Sequence, residues 1–497
     1  MLSSIILSIP LFFAAFAPFT HANPATRSQN SQPIIYGASN LIGPALEPCA
    51  TENTTSNAVV LAPTSDWQQY LTKTAKPGET ILLHGGVYQA NKKLWIAAGA
   101  AEQPITIKPY GCEEVTLLAG LRLASYTVVA GLTIEAAEAQ WVIQIDSNDD
   151  VGSIQEVALQ NNNLRGGTID AVRISDDVVN VRITGNHIDG GEGGHDIFVA
   201  QNKTTYQPNH IYITNNRLTK SFFKGPAEDM LQVRGVGYVE FTGNTCTDGY
   251  DMEQCVDIKT TSAPMLIANN FFDGDHLHLA GKGEDGAGGC MVIHEAVGTT
   301  SQHVIEHNFF DHCKDSIIRF GADSSPVTSN GIIRYNLFDQ TGQPNSLMQI
   351  QRATSLEFVN NTFICGHFKL GHSNEQDIPQ STLIKQNIFY QVDLEDHVST
   401  ANSGATYTCP TNIFFGATGN FRPEHCPNSS ASDPHFVNML SQNYYLMPDS
   451  PALGTGESGV DLGAYSAWTY NASAPTYAFQ LFLPVASAPE PVTFTCN

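Results

Sequence analysis

The stretch EQCVDIKTTSAPMLIANNFFDG, residues 253–274, decides the fold. Its second half alternates apolar and polar residues, reaches an asparagine at Asn270, and places an apolar residue, Phe272, two positions later. The same phrase returns as VALQNNNL, VRITGNHI, IYITNNRL, VEFTGNTC, VIEHNFF, IIRYNLF, LEFVNNTF and LIKQNIFY. The asparagines are Asn162, Asn186, Asn216, Asn244, Asn270, Asn308, Asn336, Asn361 and Asn387, and successive differences are 24, 30, 28, 26, 38, 28, 25 and 26. A period in this range is the signature of a solenoid. The two-residue alternation and the Val, Ile, Phe and Thr content predict strands. No amphipathic helical stretch separates them, which argues against helical and leucine-rich arrays. Strands that return once per repeat without hairpins stack in parallel, so the expected fold is all-β, a parallel β-helix. The asparagine is expected at a tight turn, where it tolerates a left-handed backbone and its amide bonds the amide of the next coil.

A second strand follows in each coil: DAVRIS, DIFVAQ, MLQVRG, CVDIKT, CMVIHE, SIIRFG and SLMQIQ. Aligned, they give two apolar columns. One is Val172, Ile197, Leu231, Val256, Met291, Ile318 and Met348; the other is Ile174, Val199, Val233, Ile258, Ile293, Phe320 and Ile350. Both are expected to face the core, so the residues between and after them face out. The column just after the core reads Ser175, Ala200, Arg234, Lys259, His294, Gly321 and Gln351. With coils about 4.7–4.9 Å apart, Arg234, Lys259 and His294 are expected to form a basic ladder. Gln232, Asp257 and Arg319 fall in the other outward column, and Glu228, Asp229 and Glu253 lie just upstream. The 38-residue interval after Asn270 holds DGDHLHLAGKGEDGAGG, a Gly-rich insertion expected as a loop beside this face.

Lys+Arg total 24 against 48 Asp+Glu, a formal net charge of -24 over 497 residues. That sign argues against nucleic acid as a partner. It also repels an acidic polymer at long range unless basic groups or a bound cation mark a local site. Residues 1–22 read as a signal peptide with a short apolar core and a cut after Ala22, so the protein is expected outside the cell, or in the periplasm of a Gram-negative host. No stop-transfer segment follows, which excludes a membrane partner. The ten cysteines are then expected to pair in part, Cys409 with Cys426 closing one loop. Asn53, Asn202, Asn360, Asn428 and Asn471 stand in glycosylation sequons. Residues 23–57 read as a lead-in or cap, 58–465 as the single elongated solenoid domain, and 466–497 as a tail. The segment SDWQQYLTKT, residues 65–74, is expected to be a short capping helix.

Several stretches resemble a known family. VDIKTT around Lys259, MVIHEA around His294, KPGETILLHGGVY (76–88), QPITIKPYG (103–111) and the closing run 433–464 are similar to right-handed parallel β-helix polysaccharide lyases. Family 6, which includes chondroitinase B and alginate lyases, is the nearest. The resemblance implies a right-handed coil. It places Lys259 on the family's lysine base and His294 where the family has an arginine. A paired-glutamate calcium signature is approximated by Glu253 and Asp257.

The chemistry fits these residue types. β-Elimination on a uronate removes the C5 proton, next to a carboxylate. It requires neutralisation of that carboxylate, a base, and an acid for the leaving oxygen. Lys259 is the expected base, with Arg234 and His294 lowering its pKa and Asp257 opposing them. His294 is expected to serve as acid or to hold the carboxylate, and Arg319 and Gln232 to contact substrate. Glu228, Glu253 and Asp257 are the expected Ca2+ ligands, because stacked carboxylates repel unless a hard cation lies between them. The expected partner is an acidic polysaccharide, handled by a monomer. Two alternatives stand. One is a hydrolase on the same fold, using a pair from Asp176, Asp177, Asp229 and Asp257. The other is a non-catalytic carbohydrate binder, for which the 4 Trp offer few stacking platforms.

Overall fold

The computed structural model describes residues 57–147, 152–190, 194–202, 206–221, 228–274, 277–279, 289–294, 302–321, 329–343, 345–351, 353–371, 379–398, 405–421, 425–465 and 496. The expected signal peptide, nearly all of the expected lead-in, most of the Gly-rich insertion and all of the expected tail but Cys496 lie outside these residues. Among them, three parallel sheets of 14, 13 and 14 strands each run in simple sequence order, every third strand stacking on the last. That is a parallel β-helix. One short antiparallel pair, Phe436–Asn438 with Asn443–Leu446, lies apart from the coils. No helix of the described residues is long and apolar enough to cross a membrane.

The asparagine periodicity becomes a buried ladder. The backbone N–H and Nδ2 of Asn162 both donate to Oδ1 of Asn186, at 2.9 and 3.0 Å. Nδ2 also donates to the Val129 carbonyl of the coil before. The pattern continues through Asn216, Asn244, Asn270, Asn308, Asn336, Asn361 and Asn387 to Asn412, one rung more than the repeat predicts. The ladder begins with Leu132 N–H on Asn162 Oδ1 and ends with Asn412 N–H on the Ser429 hydroxyl. The expected left-handed backbone occurs one residue earlier than read from the sequence. Asn161, Asn215, Asn269, His307, Tyr335 and Asn360 have φ of 53–56°. At Gly185 and Gly243 the same place has φ of 69° and 67°, a conformation that costs glycine least.

Two positions after each rung, Phe272, Phe310, Phe338, Phe363, Phe389 and Phe414 form a continuous stack, with ring centroids 4.3–5.1 Å apart. The two aligned apolar columns of the 13-stranded sheet pair in the expected register and are fully buried. Trp67 and Leu71, on a short helical segment (Trp67–Gln69, then Tyr70–Thr74), are buried in the same core.

The C-terminal stretch covers the outer face of the second 14-stranded sheet. Tyr444 packs with Leu337, Ile364 and Tyr390, and its buried hydroxyl donates to Asp339. Leu446, Ala452 and Leu462 pack with Ile388 and Ile413. Disulfides join Cys246–Cys255, Cys290–Cys313, Cys365–Cys496 and, as expected, Cys409–Cys426. The Asn360 sequon is closed off: its side chain is buried and donates to the Asp461 carbonyl. Asn202 and Asn428 are exposed.

Candidate active site

Strand Val256–Thr261 lies between Leu231–Val236 and Met291–Ile293 in the 13-stranded sheet. Alternation turns Asp257 and Lys259 to the same outer face. The predicted basic ladder is broken by a bulge. Val233 pairs with Ile258, but Arg234 pairs with Thr260, so Lys259 is the extra residue. Arg234 is therefore out of register with Lys259. A bulge re-aims a side chain, and here Lys259 turns to the carboxylate beside it.

Asp257 is the hub. Lys259 Nζ lies 3.2 Å from its Oδ2 and His294 Nε2 lies 3.4 Å from its Oδ1. Gln232 Nε2 donates to Asp229 at 2.9 Å and to Asp257 at 3.4 Å, which brings these two buried carboxyls together. Burial, and then the neighbouring Asp257 charge, hold Asp229 well above the usual carboxylate range. The expected depression of Lys259 is not found. Partial burial pulls it down, but the charge and hydrogen bond of Asp257, with Asp229 and Glu253 behind, push it higher than an ordinary lysine. With Arg234 displaced, anions outweigh cations around the amine. The side chain is 41% exposed and reachable by a bound polymer.

Glu228 and Glu253 occupy equivalent places in adjacent coils, joined by a backbone bond from Glu253 N–H to Glu228 O. Among the described residues, acidic groupings that could hold a metal bring three ligand atoms within 4.8 Å at Asp311, His312 and Asp339, and at His367, Asp393 and Glu395. Glu228, Glu253 and Asp257 are not such a group, and Asp257 is already engaged by Lys259 and His294.

The outward column through Asp257 is longer than the sequence reading used. In register it runs Trp95, Arg122, Gln144, Arg173, Phe198, Gln232, Asp257, Val292 and Arg319. Arg319 is thus two strands from Asp257 on the same face. Arg122 lies 4.3 Å over the Trp95 ring, and Arg173 lies between Trp141 (5.5 Å) and Phe198 (4.7 Å). Lys93 also sits over Trp141, at 4.6 Å. Cations over aromatic faces are attracted by the ring quadrupole. Asp170 pairs with both Arg173 (3.0 Å) and His195 Nδ1 (2.8 Å), and His195 Nε2 faces Asp229 at 3.9 Å. His195 thus reaches the acidic hub. Burial opposes the charge on Asp170, but the hydrogen bond from His195 and the Arg173 charge outweigh it and hold that carboxyl below its usual range. The aromatic platforms were legible in principle, because Arg173 and Phe198 stand between the two core columns as Gln232 and Asp257 do.

No protein-family model matches the chain, and no curated relative is similar to it in sequence. Solved structures are similar in fold. A family 6 alginate lyase, AlyGC, superimposes with a TM-score of 0.55 at 16% identity, covering 83% of this chain and 59% of that one. A single-site variant of the same enzyme gives 0.51 at 15% identity, covering 83% and 60%. The chain thus spans about three-fifths of the length of that lyase. A mannuronic acid-specific family 6 lyase from human gut microbiota gives 0.44 at 13% identity, covering 73% and 87%.

Proposed function

We propose that this chain is a secreted polysaccharide lyase that cleaves a uronate-containing polymer by β-elimination at the outer face around Lys259. The observation that carries the reading is the Lys259–Asp257–His294 constellation. It is an accessible amine and an imidazole bracketing one buried carboxylate, on a fold shared with an alginate lyase. The disulfides among the described residues, four pairs, support an oxidising compartment.

In the proposed reaction Lys259 takes the C5 proton, the C–H electrons form the C4–C5 double bond, and the C4–O bond breaks toward the leaving sugar. His294 supplies the proton for that oxygen. Arg319 and the guanidinium of Arg173 line the same column and face a polyanion lying along it. Lys259 is charged in the free protein, so it must first shed a proton. Asp257, already in contact with it, is the acceptor at hand. A sugar covering the pair excludes water, which disfavours two charges and favours two neutral groups. The acceptor step does not require Arg234. No step runs through calcium.

A second reading has one observation of its own. Asp229, whose carboxyl burial and the Asp257 charge hold well above the usual range, and Asp257 are bridged by one Gln232 amide, the paired-carboxyl arrangement of a glycosidase. Their closeness suits a retaining rather than an inverting hydrolase.

One experiment separates these readings and a plain binder. Alginate, pectate, chondroitin and dermatan are each incubated with wild type and Lys259→Ala, with and without chelator. Ultraviolet absorbance from an unsaturated uronide is expected on one polymer, and loss of the general base is expected to cut its rate by about 10²–10⁴-fold. New reducing ends without that absorbance would establish the hydrolase. Full activity in Lys259→Ala would remove the proposed base.

A further inference from the structure

We propose that His367, Asp393, Glu395 and His397 form a transition-metal site, suited to Zn2+, on the outer face of the last coils. The 13-stranded sheet places strand Asp393–Asp396 directly on His367–Leu370. Alternation buries Leu394 and Asp396 and turns Asp393, Glu395 and His397 outward together. His367 stands opposite Asp393 in register.

Its Nδ1 lies 3.1 Å from Asp393 Oδ2 and 3.3 Å from Glu395 Oε1. His397 Nε2 approaches the other oxygen of Glu395 at 3.6 Å. One ring N–H can point at only one of the two facing carboxylates. A cation in place of that hydrogen is held by all three atoms, which already lie within 4.8 Å of one another. One imidazole and two carboxylates converge, with the second imidazole, His397, against the other oxygen of Glu395; mixed nitrogen and oxygen donors suit zinc, whereas calcium and magnesium favour oxygen alone. The Thr418 hydroxyl donates to Asp393 Oδ1 at 2.9 Å and so orients the free edge of that carboxylate, the outer-shell support that ligands of this kind have. Lys369 Nζ, 3.6 Å from Glu395 Oε1, is the cation an incoming metal displaces. Each of the four side chains is about a third exposed, so an ion enters from solvent without unfolding. Bound there, it clips two successive coils near the end of the stack. The cluster lies four strands beyond Val256–Thr261, apart from the acidic hub at Asp257.

The test is calorimetric titration of the chelator-stripped full chain with ZnCl2 near neutral pH, followed by thermal melting. Wild type is expected to take up one Zn2+ and melt higher with it. His367→Ala with His397→Ala, and separately Glu395→Gln, are expected to weaken binding more than about tenfold, with far-UV circular dichroism confirming that each folds. Thr418→Val is expected to cost about tenfold, as outer-shell partners do. Lys259→Ala must bind zinc like wild type, which keeps this result separate from the lyase reading. Absence of saturable uptake by wild type, or uptake unchanged in both ligand variants, overturns the site and leaves an ion-pair cluster.

Discussion

Asp257 governs what Lys259 can do. In the proposed reaction Lys259 acts in its deprotonated form, so kcat/KM is expected to climb with pH toward a lysine pKa that Asp257 holds above the ordinary value. Asp257→Asn removes the largest upward influence, so the rising limb should move to lower pH; a limb that stays in place would mean that another group titrates. The sign for stability is separate. A lysine raised on folding contributes stability that is complete below its unfolded pKa and is lost as pH rises through the folded one. At this scale the sequence disclosed the right neighbourhood and the wrong partner. Gln232, Asp257, Lys259 and His294 were all named from alternation, and they do meet. The Arg234 contact failed because a bulge inserts one residue without changing the apolar pattern that sets the register. The Asp170–His195–Asp229 contacts were missed because they join a strand's first residue to two residues outside strands in the next two coils, where alternation carries no information.

The rung of the asparagine ladder is the element with the clearest energetic consequence. Asn308 Oδ1 accepts both the backbone N–H and Nδ2 of Asn270, and its own Nδ2 donates to Ile267 O and Asn336 Oδ1. Asn308→Ala strands buried donors, each at about 1–3 kcal/mol, and urea denaturation should show a fall of at least that size. Asn308→Asp restores the acceptor oxygens alone and should recover only part of the loss. If Asn308→Ala unfolds at the wild-type midpoint, the ladder is not a stabilising element. The ladder, the Phe stack and both core columns were legible because each rests on a fixed offset in every repeat. The residue in the left-handed conformation was not, since Asn, Gly, His, Tyr, Gln and Thr all occupy that place and share no pattern.

Across the whole molecule, charge and covalent closure dominate. With a net charge of -24, the protein repels a polyanionic substrate at distance. Salt screens that repulsion over a Debye length of about 8 Å at physiological strength, so KM on a uronate polymer should fall as salt rises from millimolar levels to that point. A KM that rises throughout instead would show that local attraction along the Arg122–Arg173 column outweighs the global field. Cys365–Cys496 spans 131 residues and ties the end of the chain to the coils that its C-terminal stretch covers. Cys496→Ser should cost about 2–5 kcal/mol, read from chemical denaturation; an unchanged midpoint would show that noncovalent packing alone holds that covering. The ladder also has a direction, because each asparagine gives its protons to the oxygen of the one that follows. The acceptor that completes each rung therefore always lies later in the chain than its donors. The last acceptor in that series is the Ser429 hydroxyl, 17 residues past Asn412, so a side chain of another type closes a run of identical amides.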